Sequence, residues 1–433
     1  MTLMPLIAAT FFMVSGGPFG VEDTVSKAGY TGALLILLIT PVLWSFPTAL
    51  MVSELASALP QEGGYYVWVT RGLGRFWGYQ EAWLSMAGSV FDMGIYPTLF
   101  VDYLGHFAPW ATAGHRGIAI GVALLFACAL WNLMGSKTVG GSSVVMAAVL
   151  LAPFAVLTVY ACFHRETSTG HAVPLGSVDF LGGVLVAMWN YMGWDYASTV
   201  AGEVDRPQRT YPLAMAGAVA LVSFCYVLPV GAVALTGLDA GRWSTGGWAD
   251  VARMVLHNGV LGSMAATAIT LGAMLGALGT ANANTMSYSR IPAVLAEDGY
   301  LPRIFARCTP RTGVPWASVA ACSVLWACSL GLSFTKLILL DVLLTGLSIL
   351  LEFAALVALR IREPELARPY RVPGGLAGAI ALGIAPLGLL VLTVMRNQIE
   401  PVGPINALQF GALLIAAGVA VYFLSGLIKK GKS

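Results

Sequence analysis

The residues best suited to chemistry in this sequence are carboxylates and helix-breaking glycines set inside long apolar runs. The first run is interrupted at Ser15-Gly16-Gly17-Pro18-Phe19-Gly20 and continues directly into Glu22 and Asp23. Two glycines raise the cost of helix there, and Pro18 removes a donor and collides with the preceding turn. A helix must break, with Pro18 near the first position of a second half-helix, where its fixed φ is favourable. The break leaves free amides and a positive dipole end deep in an apolar layer, which suits a carboxylate or another electron-rich group. Glu22 and Asp23 fall in the first turns of that half-helix, where the dipole stabilises negative charge. They read either as attractors of a cationic substrate into an external vestibule or as helix-start acids facing external water.

A second interruption is expected at Asn190-Tyr191-Met192-Gly193-Trp194-Asp195. Asp195 opens the second half of that helix, so it either caps the half-helix or meets a substrate ammonium. Tyr191 and Trp194 offer π faces that would be worth roughly 2 kcal/mol to a desolvated organic cation; the alternative is packing. Between the two breaks lies a run carrying Glu81, Asp92 and Asp102. At helical spacing Glu81 and Asp92 share nearly one face, which must look inward. An ionised carboxylate in hydrocarbon costs a few kcal/mol, so it is kept for pairing, proton carriage or cation binding. Asp92 is nearest the middle of its run, with Tyr96 one turn on. It reads as an amine ligand or proton carrier, or as the partner of an Asn or Tyr. Glu81, nearer the inner end, suits proton exit. Glu203 lies close to Arg206 and Arg209 and reads as half of a cytoplasmic salt bridge, and the polar run Asn282 to Arg290 suits an inner pathway. Asp341 and Glu352 leave structural and gating roles open.

These groups need elements to hold them, and composition says which. Hydrophobic residues are 58% of the chain and charged residues only 10%, against roughly a quarter charged in a soluble domain. Apolar stretches near the ~20 residues of a membrane-crossing helix recur throughout, without the alternation of a barrel. About twelve spans are expected: 3–28 (interrupted), 32–58, 76–107, 117–134, 142–163, 178–202 (interrupted), 210–236, 260–290, 315–334, 337–360, 374–395 and 403–427. Joints on the side of the termini hold most of the Lys and Arg, including Arg71, Arg75, Arg290 and Arg360, so both termini are expected in the cytoplasm. The joint 61–68 reads as an interfacial helix and 238–257 as an external gate or lid. Interruptions in spans 1 and 6 are what an inverted repeat of two five-helix units predicts, with substrate held between the units near the midplane.

Several classes of function are disfavoured. A net charge of +2 gives no footprint for nucleic acid. The six Cys have no ligand spacing and the five His lie at outer ends or in loops, so neither a metal site nor a membrane enzyme is expected. No nucleotide-binding domain is expected, so energy must come from gradients. No cofactor is expected.

The chain resembles the amino acid-polyamine-organocation superfamily, within it the L-type amino acid transporter family, and there the polyamine uptake transporters. The resemblance is carried by Ser15 to Asp23, Pro60-Gln61-Glu62-Gly63-Gly64-Tyr65, Trp77-Gly78-Tyr79-Gln80, Asp92 to Pro97, Asn190 to Asp195 with Gly202-Glu203-Val204, and Arg368-Pro369-Tyr370-Arg371-Val372-Pro373. It implies an all-α membrane fold of two inverted five-helix repeats (1–163 and 178–360) plus two peripheral helices (374–427), working by alternating access. It implies amino acids, polyamines or related organic amines as substrates, moved by symport or exchange across the plasma (inner) membrane, with protons as the coupling ion. Some relatives place a Lys in helix 5 and others bind sodium; span 5 here has no Lys, which leaves the ion open. In relatives a glycine turn in helix 1 holds a substrate carboxylate, and here Pro18 withdraws one of its amides. The expected substrate contacts are Ser15, Gly16, Gly17, Phe19, Gly20, Glu22, Asp92, Tyr96, Asn190, Tyr191, Gly193, Trp194 and Asp195, with Asp92 and Glu81 carrying protons. Acids without an intramembrane cation lean toward a cationic amine; the alternative is a neutral amino acid exchanger.

Overall fold

The computed structural model describes residues 1–165, 180–244, 246–257, 259–397, 401–402 and 404–430. His171 and the expected start of span 6 at 178–179 lie outside the described residues. Among those described, nine helices are long and apolar enough to cross a membrane and three shorter apolar helices accompany them. Large side chains such as Val145, Phe224 and Leu413 stand more than half exposed on the outer faces. Such surfaces belong against lipid, where apolar side chains cost nothing and every backbone group is satisfied within its own helix.

Both expected interruptions are present. The first helix, α1 (Leu3–Val14), stops where Gly16 and Gly17 adopt φ of 68° and 112°. Helix resumes as α2 (Glu22–Thr40), but Gly29 at φ 65° and ψ 174° divides it. The first turns, Glu22 to Ala28, are therefore the outer half of span 1, and the rest is the next span. That span continues through a π turn at Pro41–Ser45 into α3 (Phe46–Ala58), the prolines having removed donors from the ordinary ladder. After α4 (Tyr65–Leu73), α5 (Arg75–Leu104), α6 (His115–Asn132) and α7 (Ser136–Phe163), the helix α8 (Phe180–Asn190) ends before Gly193, which has φ 94°. A 3-10 helix, Tyr196–Glu203, takes over.

The remaining elements are α9 (Pro207–Ala234), the short amphipathic α10 (Trp248–Val255), α11 (Val260–Tyr288), α12 (Arg290–Glu297), α13 (Trp316–Ala327), α14 (Phe334–Arg362), α15 (Gly375–Asn397) and α16 (Ala407–Lys430). A two-residue antiparallel pairing, Pro401–Val402 with Ile405–Asn406, joins the last two. The aromatic joint expected at the inner face is α4, which buries Tyr65 and Trp68 and packs between α5 and α14.

Ion pairs tie α3 to α14. Glu54 of α3 accepts from Arg360 Nε at 2.9 Å and Nη2 at 2.5 Å and from the Val372 amide at 2.7 Å, and Arg368 stands 3.3 Å away. Glu203 does not pair with Arg206 or Arg209 as its sequence neighbourhood suggested. It takes the buried Arg290 of α12 at 3.1 Å and the hydroxyl of Ser136. The left-handed turn at Arg206, φ 50°, starts α9 in a new direction at this point.

Candidate substrate site

The two broken helices meet. A Cβ on Gly193 would lie 2.5 Å from the Met13 carbonyl oxygen, and one on Gly20 would lie 2.8 Å from the Trp189 ring. Helix α11 closes on the same break, since a Cβ on Gly16 would sit 2.1 Å from Thr280 Oγ1 and one on Gly276 would sit 2.2 Å from the Gly16 carbonyl oxygen. Only glycine allows backbones to approach this closely. The break partly satisfies itself: the Gly17 amide donates to Ser15 Oγ at 3.1 Å, and the Ser15 hydroxyl donates to the Gly17 carbonyl at 3.2 Å.

Beside the break lies a cavity of about 20 Å³ lined by Ser15, Gly16, Phe19, Tyr96, Tyr103, Trp189 and Thr280 among others. That volume admits about one water and no organic substrate, so the site is occluded. Its outer wall is aromatic. Phe19 meets Tyr103 and Phe154 edge-on at centroid distances of 5.4 and 5.3 Å, and Trp248 of α10 donates to the Pro18 carbonyl at 2.5 Å. The joint expected as an external lid thus lies directly on the broken helix.

Asp92 of α5 lies next to this cavity, fully surrounded. Its oxygens accept from Tyr96 Oη at 2.5 Å, Asn284 Nδ2 at 3.1 Å and Tyr288 Oη at 3.1 Å, and the Trp189 ring lies beside it. Asn284 and Tyr288 come from the polar end of α11. Among the described residues the two buried arginines, Arg290 and Arg360, are both held by other carboxylates, Glu203 and Glu54. Asp92 therefore has neutral donors and no protein counter-charge. Asp341 of α14 is its acidic neighbour and accepts from Thr345 at 2.8 Å.

The other sequence candidates are placed as follows. Glu22 faces no external water: it is 1% exposed and accepts from Tyr103 Oη at 2.9 Å, so that reading is corrected. The end of α5 brings Tyr103 onto the first turn of the half-helix. Asn190 donates to Val186 and receives the Tyr226 hydroxyl on its main-chain oxygen at 2.9 Å. Tyr191 donates to the Leu37 carbonyl at 2.9 Å, toward α2, and Trp194 Nε1 donates to the Tyr191 carbonyl at 2.7 Å. Asp195 sits at the start of the 3-10 helix, and its side chain makes no cap hydrogen bond. Glu81 accepts from the Ser348 hydroxyl of α14. Sequence reasoning passed over Trp189, Tyr103 and Thr280. Trp189 adjoins the break motif directly, and Tyr103 lies i+11 from Asp92, which puts it on the same face of α5.

The profile of the amino acid permease family matches residues 7–423. A probable polyamine transporter of Arabidopsis thaliana is 37% identical, over 99% of this chain and 88% of that protein. Polyamine transporter PUT1 of Oryza sativa subsp. japonica is 35% identical, over 95% and 77% respectively. The serine/threonine exchanger SteT of Bacillus subtilis is 24% identical over 75% of this chain and 74% of its own. Among solved structures, MhsT in complex with L-phenylalanine superposes with a TM-score of 0.62 at 16% identity, covering 90% of this chain and 98% of that one, which establishes a shared fold. A nearly all-helical membrane chain whose two interrupted helices meet beside a buried carboxyl, matched over nearly its whole length, belongs to the amino acid permease family of integral membrane transporters and is not an enzyme.

Proposed function

We propose that this protein carries linear polyamines across the plasma membrane by alternating access between two inverted repeats, 1–163 and 178–360, with 374–427 peripheral. The observation that carries the reading is Asp92: a buried carboxyl beside the broken helix, held by three neutral donors with no protein cation near it. A substrate ammonium supplies the missing charge and replaces the tyrosine and asparagine donors. The names of the plant relatives support polyamines as its chemistry. Trp189 and Tyr103 supply the aromatic faces at the cavity, and Ser15, Gly16, Gly17, Phe19 and Gly20 form its floor and shutter.

The occluded cavity is sealed outside by Trp248 on Pro18 and inside by the Glu203–Arg290–Glu62 cluster and the Tyr66–Asp298 contact. Opening one seal at a time is what alternating access requires. Protons are the proposed coupling ion, carried by Asp92 and Glu81. The basic residues gathered at the inner joints support cytoplasmic termini. The test is flux in proteoliposomes: labelled putrescine accumulates saturably under an imposed pH gradient, and alanine does not exchange. Alanine exchange without putrescine uptake would replace this reading with a neutral amino acid exchanger.

A further inference from the structure

Two further carboxyls face α5 from α14, and their placement repeats that of Glu81 and Asp92. The helices run antiparallel, since Ser348 meets Glu81 while Thr345 and Asp341 lie against Gly88, nearer Asp92. Glu81 and Asp92 are separated on α5 by the same interval as Asp341 and Glu352 on α14, so at 1.5 Å per residue each helix spaces its acids by roughly 16 Å. Two carboxyl layers result, Asp92 with Asp341 at the cavity and Glu81 with Glu352 toward the inner end. Asp195, on the 3-10 helix of span 6, neighbours Glu352 and Glu81 and faces Asp341 as well.

The lower layer has no counter-charge. Glu352 is 0% exposed, neither of its carboxyl oxygens receives a neutral donor, and it meets the Asp195 carboxyl within hydrogen-bond reach, with Glu81 nearby. Glu81 Oε2 and Asp195 Oδ1 are likewise buried without a partner. Both buried arginines are engaged elsewhere. An uncompensated buried charge costs several kcal/mol, so this layer is neutral when it holds protons or when a cation takes their place.

We infer that Glu81, Asp195 and Glu352 form a second ammonium site, which receives the far end of a long linear polyamine whose near end lies at Asp92. The inference rests on the amine reading above. Ammonium groups repeated along an apolar chain match carboxyl layers repeated along an apolar helix pair. Gly88 lets the two helices close together between the layers, since a Cβ there would lie 2.7 Å from Thr345 Oγ1. A short diamine is held by the upper layer alone, whereas a tetraamine reaches both.

The test is calorimetric titration of spermine and of putrescine into the purified protein at one fixed pH, for wild type, Glu352→Gln and Glu352→Leu. Glu352→Leu leaves no buried polar group without a partner at that position, so that variant decides the matter if Glu352→Gln does not fold. The expected result is spermine binding weakened roughly tenfold or more, with putrescine within about twofold of wild type. Equal weakening of both amines, or of neither, overturns the second site and leaves the amine reading standing. Wild-type protein that binds neither amine overturns both.

Discussion

Replacing Gly16 by alanine tests whether the broken helix and α11 touch as described. The new Cβ would lie 2.1 Å from Thr280 Oγ1, with Gly276 O next at 3.3 Å. Two costs apply. An L residue at φ 68° loses about 1–2 kcal/mol to the left-handed conformation. Forcing a methyl into a packed contact loses about 1–3 kcal/mol more. The costs have different sources, so a second substitution separates them. Thr280→Ala removes the hydroxyl, leaves Gly276 O at 3.3 Å as a contact still slightly tight, and should recover most of the packing part while the backbone part remains. Thermal unfolding in detergent of the single and double variants forms a double-mutant cycle, with an expected favourable coupling of about 1–3 kcal/mol. Additive losses would refute the contact between Gly16 and Thr280, and with it this account of how the cavity is closed.

Three further outcomes are expected. Trp248→Phe removes the donor to Pro18, worth about 1 kcal/mol, together with part of the packing against Phe154 and Trp243; alkylation of a cysteine introduced at Ala273, on the cavity wall, should quicken at least about fivefold as this seal opens more often. Glu54→Gln leaves Arg360 and Arg368 without their carboxylate at the inner end, and chemical denaturation should show a loss of about 3–5 kcal/mol, with no change in amine selectivity. The Arg71 guanidinium beside Glu363 holds that carboxyl below the usual carboxylate range. Its folded pKa is depressed, so the stability it adds is present above the unfolded pKa and is lost as pH falls through the folded value. Because the pair is partly exposed, the loss amounts to at most about 1 kcal/mol, and Glu363→Gln should remove that portion of the acid limb of a melting-temperature profile.

Much of the fold was legible because membrane sequences obey few rules strictly. Gly16-Gly17-Pro18 and Gly193 interrupt runs that have no other reason to hold such residues, and the structure breaks at both. Asp92 was legible because a lone acid in mid-helix needs a partner, and Asn284 and Tyr288 came from the polar run already noted at the end of α11. Burial of Glu22 was not legible. Its sequence neighbours place it at a helix start, and only the return of α5 brings Tyr103 onto it. Trp189 was passed over and Trp248 was legible only as part of a lid, because their contacts depend on Gly20 and Pro18, each far off in sequence. The pairing of Glu203 with Arg290 instead of the adjacent arginines has the same origin, since α12 approaches across the inner face.

The central claim is that Asp92 accepts a substrate ammonium, and titration of putrescine into wild-type protein and Asp92→Asn measures it directly. The substitution keeps the size of the side chain and removes the charge. Saturable binding by wild type, weakened at least tenfold in Asp92→Asn while both proteins unfold at similar temperatures, is the predicted result. Equal affinity in the two proteins would contradict it.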